Sequence, residues 1–107
     1  MNLRKVILSF LFLSFLTCIF AELPVERISL SGNIKDKTNG EALIGVTISI
    51  KELKSGAVTN NYGFYSISVP KGNYTIEVSY VGYEPVIKKI ALNQAVKLDL
   101  EIMTSAN

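Results

Sequence analysis

The chain has 107 residues, no histidine, no tryptophan and a single cysteine, with eleven basic side chains against nine acidic ones. Without Arg4 and Lys5 the remaining nine basic residues balance the nine acidic ones, so nothing marks a nucleic-acid or anionic-lipid surface. The lack of histidine removes the commonest general base and a usual zinc ligand, and one cysteine excludes an intramolecular disulfide.

Arg4 and Lys5 precede an uncharged apolar run, Val6 to Phe20, which predicts a secretory signal peptide over residues 1–21 with Ala21 at the cleavage position. Fifteen residues rise roughly 22 Å as a helix, short of the ~30 Å hydrocarbon core, so an uncleaved anchor is the weaker expectation. Phe15-Leu16-Thr17-Cys18 departs from the lipoprotein pattern at two positions. A membrane is therefore expected as a partner only through a retained signal or a lipidated Cys18. Residues 22–27 form a lead-in, 28–103 one small domain and 104–107 a tail.

Within that domain apolar and polar residues alternate. Ile28, Leu30, Gly32 and Ile34 share one face of the first run; Val46, Ile48 and Ile50 share one face of the second. Tyr65, Ile67 and Val69, then Tyr74, Ile76, Val78 and Tyr80, and finally Val96, Leu98, Leu100 and Ile102 repeat the pattern. Weaker strands are expected at 56–59 and 85–92. Period-two patterning gives each strand one buried face and one wet face. Turn chemistry separates the runs: Asn39-Gly40, Asn60-Asn61-Tyr62-Gly63, Pro70-Lys71-Gly72-Asn73 and Asn93-Gln94. Seven short strands at this spacing predict an all-β fold, a seven-stranded antiparallel β-sandwich, because a sheet with one apolar face needs another sheet to cover it. Its core is expected to hold Ile34, Val46, Ile48, Ile67, Ile76, Val78, Leu98 and Leu100.

Four blocks in order carry a family resemblance: Gly32 to Gly40, Glu41 to Ile48, Thr59 to Val69 and Gly72 to Pro85. Together they resemble the carboxypeptidase regulatory-like domain of secreted Bacteroidetes-type proteins. The resemblance implies a prealbumin- or transthyretin-like sandwich of the kind found at the N-terminus of TonB-dependent outer-membrane transporters. Asn60 stands where that pattern usually has Asp, and either residue caps a turn.

Catalytic chemistry is not expected, and neither a cofactor nor a metal. Glu77, Asp99 and Glu101 fall on solvent-facing strand positions, and Asp36, Glu41 and Glu84 in turns, so each is expected to be solvated. No GxSxG elbow, GxGxxG or P-loop spacing occurs. In the stretch Ser79 to Pro85, Tyr80 is expected to continue the inward series, while Gly82 and Pro85 end the strand at a corner. Tyr62 at a turn tip and Phe64 on the outer face are the candidates for partner contact, with Tyr83 the least settled of the three. The charged stretch Lys51 to Gly56 is expected to guard a sheet edge. These features predict an exported, periplasmic or outer-membrane-associated interaction module whose partner is another cell-envelope protein. The alternative is a small carbohydrate-binding sandwich that stacks sugars on Tyr62, Phe64 or Tyr83; without tryptophan or an outward aromatic row it is the weaker expectation.

Overall fold

The computed structural model describes residues 25–106. The expected signal peptide and Cys18 lie outside the described residues. The strands are β1 (Arg27–Asp36), β2 (Thr47–Ile50), β3 (Ser55–Val58), β4 (Phe64–Pro70), β5 (Gly72–Ser79), β6 (Val86–Leu92), β7 (Val96–Lys97) and β8 (Leu100–Ile102). One sheet runs β4-β1-β7 with β8 also on β1, and the other runs β3-β2-β5-β6. The two face each other as a sandwich.

The alternating residues fill the space between the sheets. Leu30, Ile34, Val46, Ile48, Ile50, Tyr65, Val69, Ile76, Val78, Leu92 and Ile102 are buried there. Of the expected core, Ile67, Leu98 and Leu100 are only partly buried against this cluster. Ile67 sits in the middle of β4, which among the described residues is an edge strand paired with β1 alone. Leu98 and Leu100 sit at an interruption in the last strand.

That interruption changes the expected count from seven strands to eight. A direction also differs from the expectation: β7 and β8 pair with β1 in parallel, while the remaining pairings are antiparallel. The break itself comes from a close approach of backbone to backbone. The Leu98 carbonyl lies over Gly32, where an added Cβ would sit 1.9 Å from its oxygen. Leu98 N–H donates to Ser31 O at 2.6 Å, Asn33 N–H donates to the Asp99 carboxylate at 2.8 Å, and the Tyr65 hydroxyl donates to Leu98 O at 2.7 Å. Leu98 and Asp99 are thus held by β1 and β4 side-on, and the strand resumes only at Leu100.

The charged stretch after β2 is a 3-10 turn, Lys51–Leu53, rather than an open loop. Both Glu52 carboxylate oxygens accept from Thr75, one from its N–H at 2.7 Å and one from its hydroxyl at 2.8 Å. These bonds hold the Glu52 carboxyl below the usual range and fasten the turn to β5.

Candidate functional site

The turn between β3 and β4 is built by one side chain. Asn60 Oδ1 accepts from the N–H of Tyr62 at 2.9 Å and of Phe64 at 3.1 Å. Gly63 N–H donates to Asn60 O, and Asn60 N–H to Phe64 O, both at 2.9 Å. Gly63, at φ +74°, lets its carbonyl accept from Ile34 N–H at 2.8 Å, which ties the turn to β1. A Cβ at Gly63 would lie 2.9 Å from Ile34 O, so glycine is required there for space as well as conformation. The Asn at position 60 does what the Asp of the resembled pattern is able to do, because only acceptor capacity is used. On this frame Tyr62 stands 80% exposed and Phe64 38% exposed. The two aromatics expected to offer contact share one turn and its first strand residue.

Tyr83 is placed elsewhere, and inward. Its ring packs against the core and lies 5.5 Å from the Tyr80 ring, centroid to centroid. Its hydroxyl donates to Asp36 Oδ2 at 2.5 Å. Tyr83 thus belongs to the corner, which also carries the backbone pairs Glu84 N–H to Met103 O and Ser105 N–H to Gly82 O. Asp36, expected to be solvated in a turn, is instead only 5% exposed. Its burial is tolerated because the carboxylate accepts from Tyr83 and from Thr38 N–H at 2.7 Å. Those bonds, Tyr83's first, hold the Asp36 carboxyl below the usual range. The same bond, helped by burial, pushes the Tyr83 hydroxyl up to about 12. Period-two reasoning missed this pair because its members are 47 residues apart. Gly82-Tyr83 following a strand was the only local signal.

Buried Thr59 completes the support behind the turn: its hydroxyl accepts from Val46 N–H at 2.9 Å and donates to Leu43 O at 2.6 Å. Among the described residues no cluster of His, Cys, Asp and Glu is placed to hold a metal ion. A surface depression lies between β6 and β8, with Lys35, Lys37, Val86, Lys88, Leu100 and Glu101 around it.

The topology and the core define a two-sheet sandwich of prealbumin-like class, with its exposed aromatics on a fixed turn. The chain belongs to the family described as CarboxypepD_reg-like domain, whose model matches residues 30–107. It is 32% identical over 80 residues to TonB-dependent receptor SusC of Bacteroides thetaiotaomicron, covering 73% of this chain and 8% of the receptor. It is 29% identical over 99 residues to TonB-dependent receptor P3 of Formosa agariphila, covering 92% of this chain and 10% of that protein. The chain therefore spans a tenth or less of the length of these curated relatives. Among solved structures, a type II cohesin–X-dockerin complex from Acetivibrio cellulolyticus matches with TM-score 0.65 at 19% identity, over 72% of this chain and 58% of that one. A DUF3823 family protein from Bacteroides ovatus matches with TM-score 0.56 at 20% identity, over 72% of this chain and 44% of that one. Both likenesses concern the fold.

Proposed function

We propose that the protein is a non-catalytic accessory module of the cell envelope that docks another envelope protein, in connection with TonB-dependent nutrient uptake. The observation that carries this function is the Asn60–Phe64 turn. Four hydrogen bonds centred on Asn60 hold it, Gly63 anchors it to β1, and Tyr62 projects from it into water. A large aromatic held out on a rigid turn loses little conformational freedom when a partner covers it, which is the economy that recognition surfaces exploit. The family supports the same function, since this domain recurs inside TonB-dependent receptors. A sugar-stacking platform has less support, because Tyr83 is engaged by Asp36 and does not join Tyr62 and Phe64.

The test is a photo-crosslinking residue introduced at position 62 in intact cells, with the same residue at position 54 as control. Lys54 is exposed on the turn before β3. A discrete adduct with an envelope protein from position 62, absent from position 54, is the expected result. No adduct, or equal adducts from both positions, contradicts the proposed contact.

A further inference from the structure

Among the described residues the sandwich has four sheet edges, and they are not equally open. β3 has four residues, and the β7/β8 edge is broken at Leu98-Asp99. β4 has seven residues, but its outward backbone groups are occupied at both ends and open only from Ser66 to the Ser68 N–H. Asn60 takes both the N–H and the carbonyl of Phe64, and the Arg27 guanidinium donates to Ser68 O at 2.7 Å. Pro70 has no N–H, and its carbonyl accepts from the Tyr74 hydroxyl at 2.6 Å.

β6 differs. Thr75 N–H points toward the β2 side of β5, where Glu52 accepts it, so the even-numbered residues of β5 face β6. In register, Val86, Lys88, Ile90 and Leu92 then turn their backbone groups to β5. The N–H and C=O groups of Ile87, Lys89 and Ala91 point the other way, to an edge that is open among the described residues, where β6 pairs only with β5. The side chains divide by face. Lys88 lies opposite Ile76 on the face that elsewhere forms the core, yet it is exposed, at the depression shared with Lys35, Lys37 and Leu100. Ile87 is 57% exposed on the outer face beside Lys89.

We infer that β6 is a docking edge for an extended partner segment carrying an acidic pair between apolar residues. The adjacent lysines each need an acidic residue across the new strand pair, one on each face, and Val86, Ile87 and Ile90 need apolar ones. Lys35 and Lys37 add positive charge around the same depression, set against Glu101 and an Asp99 already engaged by Asn33 N–H. A second copy of the chain is a poor occupant. The antiparallel two-fold register that overlaps β6 over its whole length sets Lys89 directly against itself. This edge extends the docking function but does not depend on the Tyr62 turn, which lies on the opposite side of the sandwich.

Amide hydrogen exchange, read by NMR on the full chain, tests it with a seven-residue probe peptide, the length of β6, bearing two adjacent glutamates between valines and isoleucines. At saturating peptide, the amides of Ile87, Lys89 and Ala91 are expected to slow about tenfold or more, while those of Val86, Lys88 and Ile90, already paired, change little. The protection should be lost in 1 M salt, with a control peptide carrying lysines for glutamates, and in Lys88→Glu/Lys89→Glu. A Lys88→Gln/Lys89→Gln variant, checked for an unchanged melting midpoint, separates lost charge from lost fold. Equal protection by the lysine peptide, no protection at saturation, or protection at the Ser66 and Ser68 amides of β4 overturns the assignment. Spectral changes confined to Tyr62 and Phe64 also overturn it, while supporting the turn as the docking surface.

Discussion

The Tyr83 hydroxyl donates to the Asp36 carboxylate at 2.5 Å, tying the corner after β5 to the end of β1 in the other sheet. The bond makes stability depend on pH at both extremes. Tyr83 keeps its proton to about pH 12 when folded, against 10.0 for an unperturbed tyrosine. Its contribution is therefore complete below pH 10 and is lost as pH climbs from 10 through 12. Tyr65, raised to about 12 by burial and by the nearby Asp99 charge, acts in the same window. Asp36 is shifted the opposite way: its contribution is present above pH 3.8 and is lost as pH falls below that value. Tyr83→Phe is expected to lower the urea midpoint at pH 7 and to flatten, without abolishing, the alkaline decline. An alkaline profile identical to that of the unaltered chain contradicts the role given to this bond.

Core truncations should separate full from partial burial. Ile76→Ala empties a site between the sheets and is expected to cost ~2–5 kcal/mol. Ile67→Ala, at the middle of edge strand β4, should cost clearly less, because its side chain is only partly buried. Equilibrium urea unfolding of both variants decides, and equal losses contradict the observed packing.

Gly32→Ala addresses the broken strand. The added methyl would meet Leu98 O at 1.9 Å, so the Leu98-Asp99 link must move off β1. The expected cost is ~1–3 kcal/mol. Amide exchange should show the loss concentrated at Val96, Lys97 and Leu98, and uniform destabilisation would contradict the local account.

Asn60→Asp is expected to be nearly neutral and Asn60→Ala to cost about 1 kcal/mol, because only the acceptor oxygen at this position is used. Thermal melts of the two variants, read side by side, check the difference.

Most of the fold was legible because burial on one face leaves a period of two in the sequence, as at Ile48-Ser49-Ile50 or Tyr74 to Val78. Turn residues then set the breaks, and Asn60-Asn61-Tyr62-Gly63 announced the turn that presents Tyr62. What escaped was non-local. The alternation Val96 to Ile102 carries no mark of the break at Leu98, which is imposed by Gly32 and Tyr65 on other strands. Asp36 read as a turn carboxylate because its partner Tyr83 lies 47 residues on. Nothing in the sequence singles out Lys88, since its inward face follows from register with Ile76 and not from its neighbours in sequence.

The central claim is that the domain binds through the exposed aromatics of the Asn60 turn while the fold beneath is unaffected by their loss. The most direct measurement is the affinity of the partner crosslinked at position 62 for Tyr62→Ala/Phe64→Ala, taken alongside that variant's melting midpoint. The account predicts binding weakened by about tenfold or more, the scale of a lost aromatic anchor, with the midpoint nearly unmoved. Unchanged affinity, or weakened affinity accompanied by unfolding, would contradict it.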